Sequence, residues 1–195
     1  MTRDAFIRSV VIAALALLCA SPGMAQTPGT SAAAAGTAQL SFPATSFLTP
    51  TKATWDSTRA LVLGLADSVP EDKYDFKPTP AVRSMRELLI HLIGENYAYF
   101  SRVSGDNPGS NARFDTLKSR AEIMKALRES YDYGAKVWAG LTEEKALEMV
   151  PGRGGQQVQR WSAILGVIQD NMNHYGNLVV YARLNGIVPP RSAAR

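Results

Sequence analysis

The sequence predicts an all-α protein, an antiparallel four-helix bundle, on three observations. From about residue 49 onward, apolar residues recur with a helical rather than an alternating period. Glycine and proline are largely confined to the junctions between four long segments. Strand signals are sparse, and only Gln156–Gln159 reads as a short extended piece. Segments of about 17–25 residues make helices of roughly 25–37 Å, which hide their apolar stripes by packing against one another.

The elements follow in chain order. Residues 1–25 read as an export signal: Arg3 and Arg8 make a positive start, Val10 to Ala20 is an uncharged apolar run, and Ser21, Pro22 and Gly23 break it. Gly23-Met24-Ala25 places small residues at the −3 and −1 positions before Gln26. The apolar run covers roughly 16 Å as a helix, about half a bilayer core, which is too short for a stable membrane span. The expected location is therefore exported, periplasmic or secreted, with Cys19 discarded along with the signal. Residues 26–46, rich in Ala, Thr, Ser, Gly and Pro and poor in charge, read as a flexible linker. The bundle domain is expected over residues 47–190, and 191–195 form a short tail.

Thr49-Pro50 opens the first helix, a capping hydroxyl followed by proline, and the helix runs to Pro70. Pro78 and Pro80 hold an extended loop. Ser84 and Glu87 form a capping box that starts a second helix through Val103, stopped at Gly105-Asp106-Asn107-Pro108. A third helix runs from about Ser119 to Leu141, followed by a helical turn in Thr142–Met149. The fourth runs from about Trp161 to Asn185 and ends at Gly186. Met85, Leu88, Leu89, Leu92, Ile93, Phe100 and Val103 form the apolar stripe of the second helix. Trp161, Ile164, Leu165, Ile168, Met172, Tyr175 and Val179 form that of the fourth.

Composition excludes several classes. The chain has 195 residues and a single cysteine, so no disulfide framework holds it. Its 46% hydrophobic content excludes wholesale disorder. The net charge of +4, or +3 once Arg3, Arg8 and Asp4 leave with the signal, is scattered rather than gathered into a phosphate-tracking patch, so no nucleic-acid partner is expected. Pro151–Gly155 lacks the Lys-Ser/Thr of a phosphate loop and reads as a turn. No serine lies in a nucleophile elbow.

The residues that do not fit a core reading are polar groups beside the two stripes. His91 lies about 60° from Leu88, with Glu95 one turn further on. Asp170 and His174 are spaced i, i+4 and share a face, about 40° apart and roughly 6 Å along the axis. Asn177 and Tyr181 continue that polar edge. If the two helices are neighbours at the usual ~8–10 Å, His91, Asp170 and His174 converge. Two neutral imidazoles and one carboxylate suit a divalent metal cation (Zn²⁺, Ni²⁺, Mn²⁺ or Fe²⁺) with coordination positions left open. A plain surface pair and a hydrogen-bonded histidine account for the same spacings.

At these residues the sequence resembles the DinB/YfiT-like superfamily, small metalloenzyme four-helix bundles, over about residues 49–190. The resemblance rests on Arg83–Phe100, where a proline-rich loop leads into a helix carrying a first histidine ligand, here His91. It rests equally on Ile168–Pro190, where His174, Gly176, Tyr181, Arg183 and Gly186 match the family's closing helix. The family usually places a histidine four residues before the second one, and this chain has Asp170 there. The resemblance implies a divalent ion on His91, Asp170 and His174, and a carboxylate in that set favours harder ions such as Mn²⁺ or Fe²⁺. Bundles of this shape often pair through their faces, which implies a homodimer.

The implied chemistry is metal-dependent. Small reducing thiols belong to the cytoplasm, which argues against the thiol-transfer reaction known in the family for a chain with an export signal. The leading expectation is hydrolysis of a small-molecule substrate by a metal-bound water, with Glu95 as general base and Tyr181 as a donor to the substrate oxygen. A catalytically silent exported bundle with a degenerate site, and a metal-dependent thiol transferase, are the alternatives.

Overall fold

The computed structural model describes residues 46–109 and 113–193. The expected signal peptide and, apart from Ser46, the expected linker lie outside the described residues. Four long helices, α1 (Leu48–Ser68), α2 (Met85–Ser104), α3 (Arg120–Ala139) and α5 (Arg160–Leu184), form the bundle. The minor elements are two 3-10 turns (Glu71–Lys73 and Phe114–Thr116), a one-turn helix α4 (Glu143–Leu147), a two-stranded antiparallel ribbon of β1 (Met149–Pro151) and β2 (Gln157–Gln159), and a terminal turn α6 (Pro190–Ala193). Among the described residues no helix is long and apolar enough to cross a membrane.

The helix starts follow local chemistry. Ser84 and Glu87 form the expected box: Glu87 N donates to Ser84 Oγ at 3.1 Å and Ser84 N donates to Glu87 Oε2 at 2.7 Å. Ser119 and Glu122 form a second box at the start of α3. Gly105, at φ 86°, closes α2 in the left-handed conformation that glycine adopts without cost. The first helix starts at Leu48, with the Ser46 hydroxyl accepting from Thr49 N at 3.3 Å. Pro50 then sits within the first turn, where its missing N–H breaks no helical bond.

The helical bundle expected from periodicity is present, and its directions are resolved by cross-contacts. On α2 and α5, His91 meets His174, Asn96 meets Asn171 and Val103 meets Arg160, so the two run antiparallel. On α2 and α3, Arg86 reaches Lys118 just before α3, and Asn96 reaches Ser130, so these run parallel. Arg59 pairs with Asp132 and Asp67 with Arg128, which makes α1 antiparallel to α3. The topology is up–down–down–up. The connection between α2 and α3 must therefore travel the length of the bundle, and Phe114 in it stacks on Tyr97 of α2 at 5.3 Å.

Trp55, Phe100, Tyr131 and Trp138 cluster in the core with Leu65, Leu89, Leu92, Ile93, Ile123, Leu127 and Ile164. The predicted α2 stripe is buried throughout. The α5 stripe is corrected: Leu165 and Met172 are exposed, while Ala163, Val167, Asn171, His174, Leu178 and Tyr181 face inward with Ile164 and Tyr175. Polar residues occupy the true inner face of α5, which pulls a hydrophobicity-based phase away from it.

Candidate metal centre

The site sits where the first half of α2 faces the second half of α5. His91 and Glu95 are one turn apart on α2, which aims both side chains the same way. Antiparallel packing brings His174 of α5 opposite them. His91 Nε2 is 2.9 Å from Glu95 Oε1, His174 Nε2 is 3.2 Å from Glu95 Oε2, and the imidazole rings stand edge to face at 4.9 Å between centroids. One ligand atom from each of the three falls within 4.8 Å of the others. His174 is almost wholly buried, at 10% side-chain exposure, and Glu95 follows at 17%.

The contact between His174 Nε2 and Glu95 Oε2 has an ion-pair distance but not the alignment of a hydrogen bond, so Oε2 stays buried without a hydrogen-bond partner. A buried acceptor left unpaired costs about 1–3 kcal/mol. Burial pushes the Glu95 carboxyl up, but the adjacent His174 and His91, with the Arg83 guanidinium, more than reverse this and leave it below its ordinary value. Burial lowers the His91 imidazole, Arg83 acts in the same direction, and Glu95 opposes them. The resting state is thus an ionised carboxylate facing a neutral His91, and those are the protonation states that bind metal.

The structure gathers His91 and His174 as the spacing suggested, and their third companion is Glu95 rather than Asp170. The half-buried Asp170 carboxylate accepts a hydrogen bond from the Tyr99 hydroxyl. Burial, then that bond, pushes the Tyr99 pKa up to about 12, so Tyr99 holds its proton toward Asp170. Tyr99 owes its position to Gly166, where a Cβ would lie 2.5 Å from the tyrosine Cε1. The Tyr181 hydroxyl donates to the Arg83 carbonyl at 2.9 Å and its ring packs edge-on against Phe76 at 6.0 Å. This bond anchors the loop before α2.

The triad stands between two depressions. His174 lines one of about 730 Å³ with Arg83, Asn177 and Tyr181, while His91 and Glu95 line another of about 470 Å³ with Tyr99 and Arg102. Sequence reasoning missed the buried polar chain beneath the site. Asn171 Nδ2 donates to Asn96 Oδ1 at 3.0 Å, Asn96 Nδ2 donates to Ser130 Oγ at 3.0 Å, and the Tyr131 hydroxyl donates to Asn171 Oδ1. Helical phase held the signal: Asn96 follows Leu92 by four residues, and Asn171 follows Val167 by four.

No curated protein matches the sequence. A crystal structure of a DinB-like protein from Bacillus subtilis superposes with a TM-score of 0.58 at 20% identity, covering 70% of this chain and 92% of that one. A DinB-like protein from Bacillus cereus superposes with a TM-score of 0.64 at 13% identity, covering 72% and 93%. These likenesses agree in fold with the bundle. The sequence model of the DinB superfamily matches residues 54–178, most of the helical domain with all three clustered side chains, and the chain therefore belongs to the DinB superfamily.

Proposed function

We propose that the protein is a divalent-metal-dependent hydrolase of a small-molecule substrate, with the ion held by His91, Glu95 and His174. One observation carries this reading: two imidazole Nε2 atoms face the two oxygens of a single, mostly buried carboxylate, one of which has no hydrogen-bond partner. A cation satisfies that oxygen directly. The N₂O donor set suits Zn²⁺, Ni²⁺, Mn²⁺ or Fe²⁺ and leaves coordination positions open. When bound, such an ion would act as a Lewis acid, polarising a substrate carbonyl through its oxygen and making the attached carbon more electrophilic.

The chain's own residues do the rest. α2 and α5 hold the three ligands on rigid helices, and the Asn96–Asn171 contact fixes the helices' relative register just inside them. Tyr181 ties down the Arg83 backbone at the mouth of the larger depression. Glu95 is spent as a ligand in this arrangement and is no longer free to act as general base. An export signal at residues 1–25 remains our reading of where the protein works.

The test is metal analysis of the purified protein before and after chelation, alongside hydrolysis of 4-nitrophenyl esters. The expected outcome is about one divalent ion per chain, activity that is lost with the ion and restored by its return, and loss of both in His174→Ala. Absence of any ion after incubation with Zn²⁺, Ni²⁺ and Mn²⁺ supports the catalytically silent bundle instead.

A further inference from the structure

Beside the triad, the depression of about 730 Å³ is walled by the loop before α2 and the end of α5, and its lining includes Lys77, Arg83, Glu87, His174 and Asn177. Its charges are not equivalent. Lys77 Nζ lies 2.9 Å from Glu87 Oε2 and is neutralised there. The neighbouring Arg86 is held by Asp75 at 2.7 Å and by the Lys118 carbonyl. Arg83 pairs with no carboxylate among the described residues, although its root is fixed on both sides. Its carbonyl takes the Tyr181 hydroxyl, and the next residue is the buried cap Ser84. Arg83 is exposed, has an anchored backbone and no ion-pair partner among the described residues, and lines the same depression as His174.

We infer that Arg83 is the substrate-binding group of this site and that it selects small molecules carrying one carboxylate besides the bond to be cleaved. This rests on the triad being the reaction centre. A guanidinium presents two parallel N–H donors that match the two oxygens of a carboxylate. One unbalanced positive charge in the depression is met by one negative charge, and a phosphate dianion exceeds it. The carboxylate on Arg83 leaves the remainder of the molecule lying toward His174. Across the triad, Arg102 is differently placed, with its guanidinium lying 5.0 Å from the centroid of the Tyr99 ring.

Binding is measured on chelated full-length protein by ligand-observed NMR, with the monoanion succinamate, its neutral isostere succinamide and inorganic phosphate as probes. Succinamate is expected to bind and succinamide not to. Arg83→Gln weakens succinamate by about tenfold or more, while Arg83→Lys retains part of the binding. In the metal-loaded enzyme, Arg83→Gln raises KM for 4-nitrophenyl hemisuccinate by a similar factor while kcat stays within about twofold. Equal binding of succinamate to wild type and Arg83→Gln overturns the inference, as does loss in Arg102→Gln instead, or tighter binding of phosphate. Because the probe is read on chelated protein, failure to find metal or turnover sinks the hydrolase reading alone, and failure of succinamate binding to depend on Arg83 sinks this one alone.

Discussion

Glu95 is the residue on which the site turns. Sequence spacing placed it one turn beyond His91, yet the i, i+4 relation of Asp170 and His174 drew the ligand assignment to Asp170. Spacing along one helix says which residues share a face but not which side chain on the facing helix they meet. The outcome was decided across the interface, where Tyr99, seated on Gly166, claims the Asp170 carboxylate and leaves Glu95 to the two histidines. The two carboxylates should therefore respond differently. Glu95→Gln is expected to weaken metal binding by about tenfold or more, with turnover falling in step, whereas Asp170→Asn stays within about threefold of wild type. Competition titration with a metallochromic chelator measures both, and the reverse ranking would restore Asp170 as the ligand.

At the scale of elements, α2 and α5 carry the site, and their relative register is set by a buried amide pair. Asn96 and Asn171 are completely buried and bond each other at 3.0 Å, with Ser130 and Tyr131 of α3 satisfying their remaining groups. Sliding one helix past the other leaves several buried polar groups unpaired at about 1–3 kcal/mol each, so a single register is favoured. The Ser84 cap, the helix stops and the α2 stripe were legible because they depend on local chemistry, whereas the Thr49 cap was not borne out, since α1 starts at Leu48 and holds Thr49 in its first turn. The α5 phase was not, because Asn171 and His174 lie on its inner face while Leu165 and Met172 lie outside. Close packing makes a further distinction within α5. Gly166→Ala drives a methyl into the Tyr99 ring and should destabilise the protein by about 1 kcal/mol net, since overpacking outweighs the helix-propensity gain. Gly176→Ala has open space around its Cβ and should stabilise by about 0.5–1 kcal/mol. Urea denaturation of the two variants reads the opposite signs, and equal stabilisation would show that Tyr99 is not held against Gly166.

For the whole molecule, four helices in an up–down–down–up order bring distant stretches, residues 91–95 and 174, onto one seam. The number and extent of the long helices could be read from periodicity and junction residues. The parallel run of α2 and α3 could not, because it depends on a long connection folding back along α2 through the Tyr97–Phe114 stack. The bundle's function then rests on whether that seam holds an ion. Anomalous diffraction from crystals of the protein grown with Mn²⁺ or Zn²⁺ measures this most directly. The account predicts a single strong peak bonded to His91, Glu95 and His174, with Asp170 still on Tyr99. A peak bonded to Asp170 in place of Glu95, or no peak between the two histidines at saturating metal, would contradict it.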